Sequence, residues 1–144
     1  MMNRRNMFSR ALAGASAWFA ASAAQAGTTP TCKVVYHLVD FEKVDAVLGN
    51  IRHHYEGVGV EQATIALVVH GPALRAFASG GSAATRERLA SLLRDGLAPI
   101  ACANTLRGMA MELKDLPPGF ALAEKGGVVR IVELQQQGYF YVRP

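Results

Sequence analysis

The sequence predicts a single α/β domain built around a parallel β-sheet, and three observations support this. Short apolar runs alternate with segments of helical periodicity, which is typical of strand–helix–strand units joined by right-handed crossovers. The first strands are almost continuously apolar, as expected for strands covered by helices on both faces. The chain has 144 residues, of which 51% are hydrophobic, so it can form one core and is not disordered.

Five strands are predicted, over residues 33–39, 63–69, 97–102, 120–123 and 139–142. The first helix is predicted over 41–56 with Asp40 as its cap, because apolar residues recur there at helical spacing. Shorter helices are predicted over 72–78, over 85–94 and from Cys102 to about 112. The last helix is predicted to begin at Gly126-Gly127 and to end at Gly138.

The first 26 residues have the composition of an export signal. Three arginines precede a short Ala-rich stretch, and Ala24-Gln25-Ala26 is an A-x-A signal that predicts cleavage after Ala26. The segment Arg4–Phe8 resembles a twin-arginine motif, although an ordinary secretory signal fits almost as well. The apolar stretch is shorter than the roughly 20 residues that span a bilayer. We therefore expect a soluble periplasmic protein without stable membrane insertion.

The basic character of the chain comes largely from this signal. Of 15 basic and 11 acidic residues, three basic ones precede Ala26, which leaves 12 basic and 11 acidic residues in the mature chain. Such a balance indicates no nucleic-acid partner. No dinucleotide-binding glycine fingerprint follows the first strand, and the histidines lack metal-ligand spacing, so we expect neither a cofactor nor a metal. His37 is interpreted as a hydrogen-bonded core histidine, and Tyr139–Tyr141 as strand residues.

The candidate functional residue is Cys102, in the stretch Pro99–Arg107. A buried strand ends on this cysteine, and Asn104 or Thr105 is predicted to cap the helix that follows. The positive end of a helix dipole favours the thiolate over the thiol. The competing interpretation is that Cys102 is a small core residue, because free cysteines are among the most buried residue types.

Asp40, His70 and Cys102 all follow predicted strands, so they should lie along the carboxyl edge of the sheet, where ligands bind in such folds. His70 is the candidate partner of the thiol. The candidate pocket residues are Asp40, Asn50, Asn104 and Thr105. Cys32 begins the first strand and should lie roughly 20 Å away at the opposite edge. A disulfide needs Cα atoms within about 7 Å, so a Cys32–Cys102 bridge is not expected.

Four segments resemble the DsrE/DsrF-like family, most closely its single-domain exported branch. They are Ala101–Leu106, Asn50–His54, Val69–Pro72 and the tail Leu134–Pro144. The resemblance covers residues 33–144 and implies a YchN-like fold, with a five-stranded, mostly parallel sheet between helical layers, and a homo-oligomer, either trimer or hexamer. It also implies sulfur handling, in which a cysteine accepts sulfane sulfur from a donor protein and passes it to an acceptor. Cys102 matches that position.

Two functions therefore stand side by side. The first is an exported persulfide carrier, more a carrier than a turnover enzyme, that bears sulfur on Cys102 with help from His70. The second is an oligomeric small-ligand-binding or scaffold module in which Cys102 is structural. Its pocket would lie at a subunit boundary and be formed by His70, Asn104 and Asn50. A third and weaker hypothesis is a metal or redox sensor that pairs Cys102 with a histidine.

Overall fold

The structure is a computed structural model that describes residues 31–144, and the predicted export signal over 1–26 lies outside the described residues. The strands are β1 (Cys32–Leu38), β2 (Ala63–Val69), β3 (Ala98–Cys102), β4 (Ala121–Ala123) and β5 (Phe140–Val142). The helices are α1 (Val44–Val58), α2 (Ala83–Arg94), α3 (Ala103–Gly108) and α4 (Gly127–Gln136). All strand pairs are parallel, in the order β4-β3-β2-β1-β5. The predicted five-stranded parallel sheet is confirmed.

Alternate residues of the central strands pack into two cores, one on each face of the sheet. Leu67 of β2 packs with residues of α1 and α2, such as Leu48 and Leu92. Val68 points to the other face and packs with α4, through Ile131. Because both faces are covered, β2 is apolar at every position but one, and the domain has three layers. Among residues 31–144, no helix combines the length and the apolarity needed to cross a bilayer.

Most predicted boundaries agree with the structure to within about two residues, and two helix predictions are wrong. The helix after β3 was predicted to reach 112, but α3 ends at Gly108, and Ala110 has a positive φ of 53°. Glycine is a weak helix former, and the N–H of Met111 bonds back to the Leu106 carbonyl at 2.9 Å, which reverses the chain. The helix predicted over 72–78 is a short 3₁₀ segment, Gly71–Ala76.

Asp40 does not cap α1 as predicted. It precedes a 3₁₀ turn, Phe41–Lys43, and its side chain makes no capping hydrogen bond. Its carboxylate instead lies 3.8 Å from the guanidinium of Arg143, next to the end of β5. This ion pair places one negative and one positive charge together at the carboxyl edge of the sheet.

Candidate functional site

Cys102 and His70 are neighbours at the carboxyl edge of the sheet. Val69 of β2 is in register with Ala101 of β3. The residues that follow them, His70 and Cys102, are therefore adjacent as well. His70 keeps an extended backbone, with φ −144° and ψ 176°, so the alternation of the strand continues through it. Both side chains consequently lie on the sheet face that α4 covers.

The thiol of Cys102 reaches the surface through a cavity of about 270 Å³. His70, Asn104, Thr105 and Lys125 contribute to the lining, together with the first turn of α4. Cys102 itself is only 5% exposed, so reagents that reach the sulfur must enter this cavity. The predicted placement of the sulfur at the end of a buried strand is what the structure shows.

The N-termini of two helices lie next to Cys102. The helix α3 begins at the following residue of the chain, and the first turn of α4 packs against Cys102 on the sheet face that α4 covers. Burial raises the pKa of the thiol, but hydrogen bonding from the backbone N–H groups of Thr105 and Gly127, the Thr105 hydroxyl and the Asn104 N–H lowers it further than burial raises it. The pKa of Cys102 is therefore below its ordinary value. The thiolate is the nucleophilic form, so this environment favours a reactive sulfur.

The capping roles predicted for Asn104 and Thr105 are wrong, because α3 starts at Ala103, two residues earlier than a cap at Asn104 requires and three earlier than a cap at Thr105 requires. Cys102 occupies the N-cap position, and no side-chain oxygen makes a capping hydrogen bond there. The Thr105 hydroxyl accepts a hydrogen bond from the Gly71 N–H at 3.1 Å, which leaves its own proton for the sulfur. The Asn104 side-chain oxygen accepts a hydrogen bond from Arg107. Both residues nevertheless line the cavity, as predicted for pocket residues.

The structure does not bring the other two predicted pocket residues, Asp40 and Asn50, into this cavity. Asp40 lies at the same edge of the sheet but pairs with Arg143. Asn50 is an exposed residue of α1, which packs on the opposite face of the sheet from α4 and Cys102. The sequence of α1 alone gave no information about which face of the sheet this helix covers.

The sequence analysis missed two residues of the site, His37 and Tyr141. The Nε2 atoms of His37 and His70 are hydrogen-bonded, and the Nδ1 atom of His37 lies 2.7 Å from the hydroxyl oxygen of Tyr141. The two imidazole planes are 9° apart with centroids separated by 4.7 Å. Because the hydrogen bond of a ring nitrogen lies in the ring plane, the two rings meet edge to edge. The signal for this cluster is the strand order, which places β1 between β2 and β5.

Both imidazoles are neutral at pH 7. Burial lowers the pKa of His37 to about 4, with further lowering by His70 and Arg143 and a smaller opposing effect from Asp40. Burial also lowers the pKa of His70, with Arg143 acting in the same direction and Asp40 against it. Two neutral rings hold one proton each, which is the right number for a hydrogen bond between their Nε2 atoms.

Metal binding gains no support at this edge. Within residues 31–144, no three histidine, cysteine or acidic side chains converge in the way that a metal site requires.

Cys32 and Cys102 are both free thiols. They lie at opposite ends of the sheet, Cys32 where β1 begins and Cys102 where β3 ends.

Replacement of Gly127 by alanine is expected to lower the free energy of unfolding by about 1 kcal/mol and to slow alkylation of Cys102. The added Cβ would lie 3.3 Å from the Cβ of Cys102 and from the Cγ1 of Val68. Gly49→Ala is the matched control, because a Cβ at this position in α1 meets no described atom within 4 Å. It should raise stability by up to about 1 kcal/mol. Denaturant titration compares the two variants, and an equal gain at both sites would contradict the prediction.

No protein-family model and no curated protein sequence matches this chain. A solved structure does. The chain is similar to MTH1491, a protein of unknown function from Methanobacterium thermoautotrophicum, with 27% sequence identity and a TM-score of 0.71. The similarity covers 78% of this chain and 99% of that one. It confirms the predicted fold class, a single-domain three-layer α/β/α protein, and carries no statement about activity.

Proposed function

We propose that this protein is an exported persulfide carrier, similar to the DsrE/DsrF-like family, in which Cys102 bears the transferred sulfur. The supporting observation is the environment of the thiol. Cys102 lines an open cavity at the carboxyl edge of the sheet, and N–H groups from two helix starts lower its pKa. A sulfur carrier needs these two properties, access for the donor and a population of thiolate at neutral pH.

The transfer needs no external oxidant or reductant. The Cys102 thiolate attacks the outer sulfur of a donor persulfide, and a bond forms between Sγ and that sulfur. The sulfur–sulfur bond of the donor breaks at the same time, and the inner sulfur of the donor leaves as a thiolate that takes up a proton. Attack by an acceptor thiolate on the outer sulfur of the Cys102 persulfide then releases Cys102 as a thiolate again.

The carrier function includes partners that approach this edge of the sheet. Val128 and Val129 of α4 border the cavity and are 61% and 42% exposed. Apolar side chains at these levels of exposure favour a protein contact near the thiol. We propose that they serve a homo-oligomer, a trimer or hexamer in the periplasm, and the docking of donor and acceptor proteins.

The second candidate is an oligomeric small-ligand-binding or scaffold module in which Cys102 is structural. The observation that favours it is the low exposure of Cys102, 5%, which is typical of a core cysteine. The two candidates differ in the chemistry of one atom. A structural Cys102 should resist alkylation in the folded protein, whereas a carrier thiol should react near neutral pH.

Mass spectrometry of the purified protein after incubation with glutathione persulfide tests the carrier function. We expect the wild type to gain the mass of one sulfur atom and Cys102→Ser to gain none. Cys32→Ser is the matched control, because it removes the other thiol, at the far end of the sheet, and should load sulfur as the wild type does. Loading that persists in Cys102→Ser, or a wild type that gains no sulfur, would reject the proposal.

A further inference from the structure

We propose that Tyr141, His37 and His70 form a proton relay that connects the Cys102 cavity with solvent. The proposal rests on the proposed function, because the relay acts on the proton that the Cys102 thiol loses before its thiolate attacks the donor. The relay residues do not carry sulfur themselves. His70 exchanges the proton with the thiol, and His37 and Tyr141 act through His70.

The first argument is placement across the sheet. Tyr141, His37, His70 and Cys102 come from four consecutive strand positions, β5, β1, β2 and β3. Tyr141 is in register with Val35, two residues before His37, and His37 is in register with Val68, two residues before His70. Alternation therefore directs all four side chains to the face of the sheet that α4 covers.

The second argument is continuity from a buried end to an exposed one. Cys102 is 5% exposed, whereas Tyr141 is 42% exposed. Hydrogen bonds connect the Tyr141 hydroxyl with His37 Nδ1, and His37 Nε2 with His70 Nε2. His70 and Cys102 line the same cavity. Since His70 uses Nε2 for this bond, its Nδ1 atom is the nitrogen that remains for a proton from the thiol.

The third argument is that this series of hydrogen bonds can hold its protons in two complementary arrangements. In one, Nδ1 of His70 is bare, Nε2 of His70 donates to His37, and Nδ1 of His37 donates to the Tyr141 oxygen. A proton that leaves Cys102 binds the bare Nδ1 of His70. The Nε2 proton of His70 then moves to His37, and the Nδ1 proton of His37 moves to the Tyr141 oxygen. The Tyr141 hydroxyl releases its original proton to water. The second arrangement results, in which Tyr141 donates to His37 and His37 donates to His70. One proton enters, one leaves, and no atom is oxidised or reduced.

The charges around the pair favour passage over storage of the proton. Arg143 and Asp40 form an ion pair beside the two rings, Lys125 lines the cavity, and Cys102 faces it from β3. Burial and Arg143 lower the pKa of both imidazoles. A ring that takes up a second proton therefore loses it readily, as a relay requires.

The test is the rate of single-turnover sulfur loading from glutathione persulfide, followed by rapid quench and mass spectrometry in dilute buffer at pH 7. We expect His37→Ala to load more slowly by about tenfold, below the range for loss of a direct acid–base group. Tyr141→Phe removes only the hydroxyl and should slow loading by about threefold. Added imidazole should restore the rate of His37→Ala, because a small base replaces the missing ring. A purely structural loss would not respond to imidazole.

His54→Ala is the matched control, because Nδ1 of His54 lies 3.0 Å from the Tyr36 hydroxyl in another tyrosine–histidine pair, one not connected to Cys102. It should load at the wild-type rate and show no response to imidazole. Wild-type loading by His37→Ala, or a loss that imidazole leaves unchanged in a folded variant, would overturn the relay.

Nitrogen-15 NMR of the histidine rings separates failure of the relay from failure of the carrier function, since it needs no sulfur donor. At pH 7 the relay requires one proton in total on the Nε2 atoms of His37 and His70. Two protons or none there would overturn the relay even if Cys102 loads sulfur. A wild type that takes up no sulfur would overturn the carrier function, and with it the role of the relay in loading, whatever the NMR result.

Discussion

Replacement of Thr105 by valine is expected to slow alkylation of Cys102 about tenfold at any pH below the midpoint of the thiol titration. The Thr105 hydroxyl accepts from the Gly71 N–H at 3.1 Å and donates to the sulfur, which lowers the pKa of Cys102. Valine has nearly the same shape but no hydroxyl, so the thiolate loses one hydrogen bond. The pH profile of iodoacetamide alkylation, measured in a Cys32→Ser background, should move to higher pH.

Two further variants make this result specific to the hydroxyl. Thr105→Ser keeps an O–H group at the same position and should retain most of the wild-type reactivity. Thr64→Val makes the same chemical change at an exposed position of β2, far from the carboxyl edge, and should leave the profile unchanged. An unshifted profile in Thr105→Val would show that backbone N–H groups alone set the thiol pKa.

Acidification from pH 7 to pH 4 is expected to lower the free energy of unfolding by about 2 kcal/mol through His37, after a discount for its partial exposure. The pKa of His37 is about 4 in the folded protein, against an ordinary value of 6.5. Between these values the unfolded chain binds more protons, so the stabilisation is complete above about pH 6.5 and is lost as the pH falls towards 4. The change ends about one pH unit below 4, where His37 is protonated in the folded protein as well as in the unfolded chain.

Denaturant titrations at several pH values between 4 and 7 measure this effect. His37→Gln removes the titrating group, so its unfolding free energy should depend less on pH over this interval, even if it is lower at pH 7. His53→Gln is the control, because it removes an exposed histidine of α1 and should keep the wild-type slope. An identical slope in His37→Gln and the wild type would exclude His37 as the source.

The sequence predicted the parts of this site that depend on local order along the chain. β1 and β2 are almost continuously apolar, which identified two buried strands of a parallel sheet, and the run that ends at Cys102 placed the thiol where β3 stops. His70 follows β2 directly, so its position at the same edge required only that the sheet be parallel. Each of these inferences uses the properties of a single segment.

The remainder depends on which segments become neighbours. His37 and Tyr141 are 104 positions apart and meet because β5 pairs with β1, which no local pattern specifies. The contact of Gly127 with Cys102 likewise depends on where α4 crosses the sheet. The error at Asn50 has the same origin, because the face that α1 covers follows from the path of the chain. The early end of α3 is different, since Gly108 was a local signal that the helical pattern outweighed.

The outer strands of the sheet, β4 and β5, contain only three residues each. Each outer strand therefore offers few unpaired backbone N–H and C=O groups. These are too few for another chain to extend the sheet by main-chain pairing. Cross-β polymerisation is therefore disfavoured at both outer strands, even though Phe140 of β5 is apolar and exposed. We accordingly expect complexes of this protein to form through side-chain surfaces.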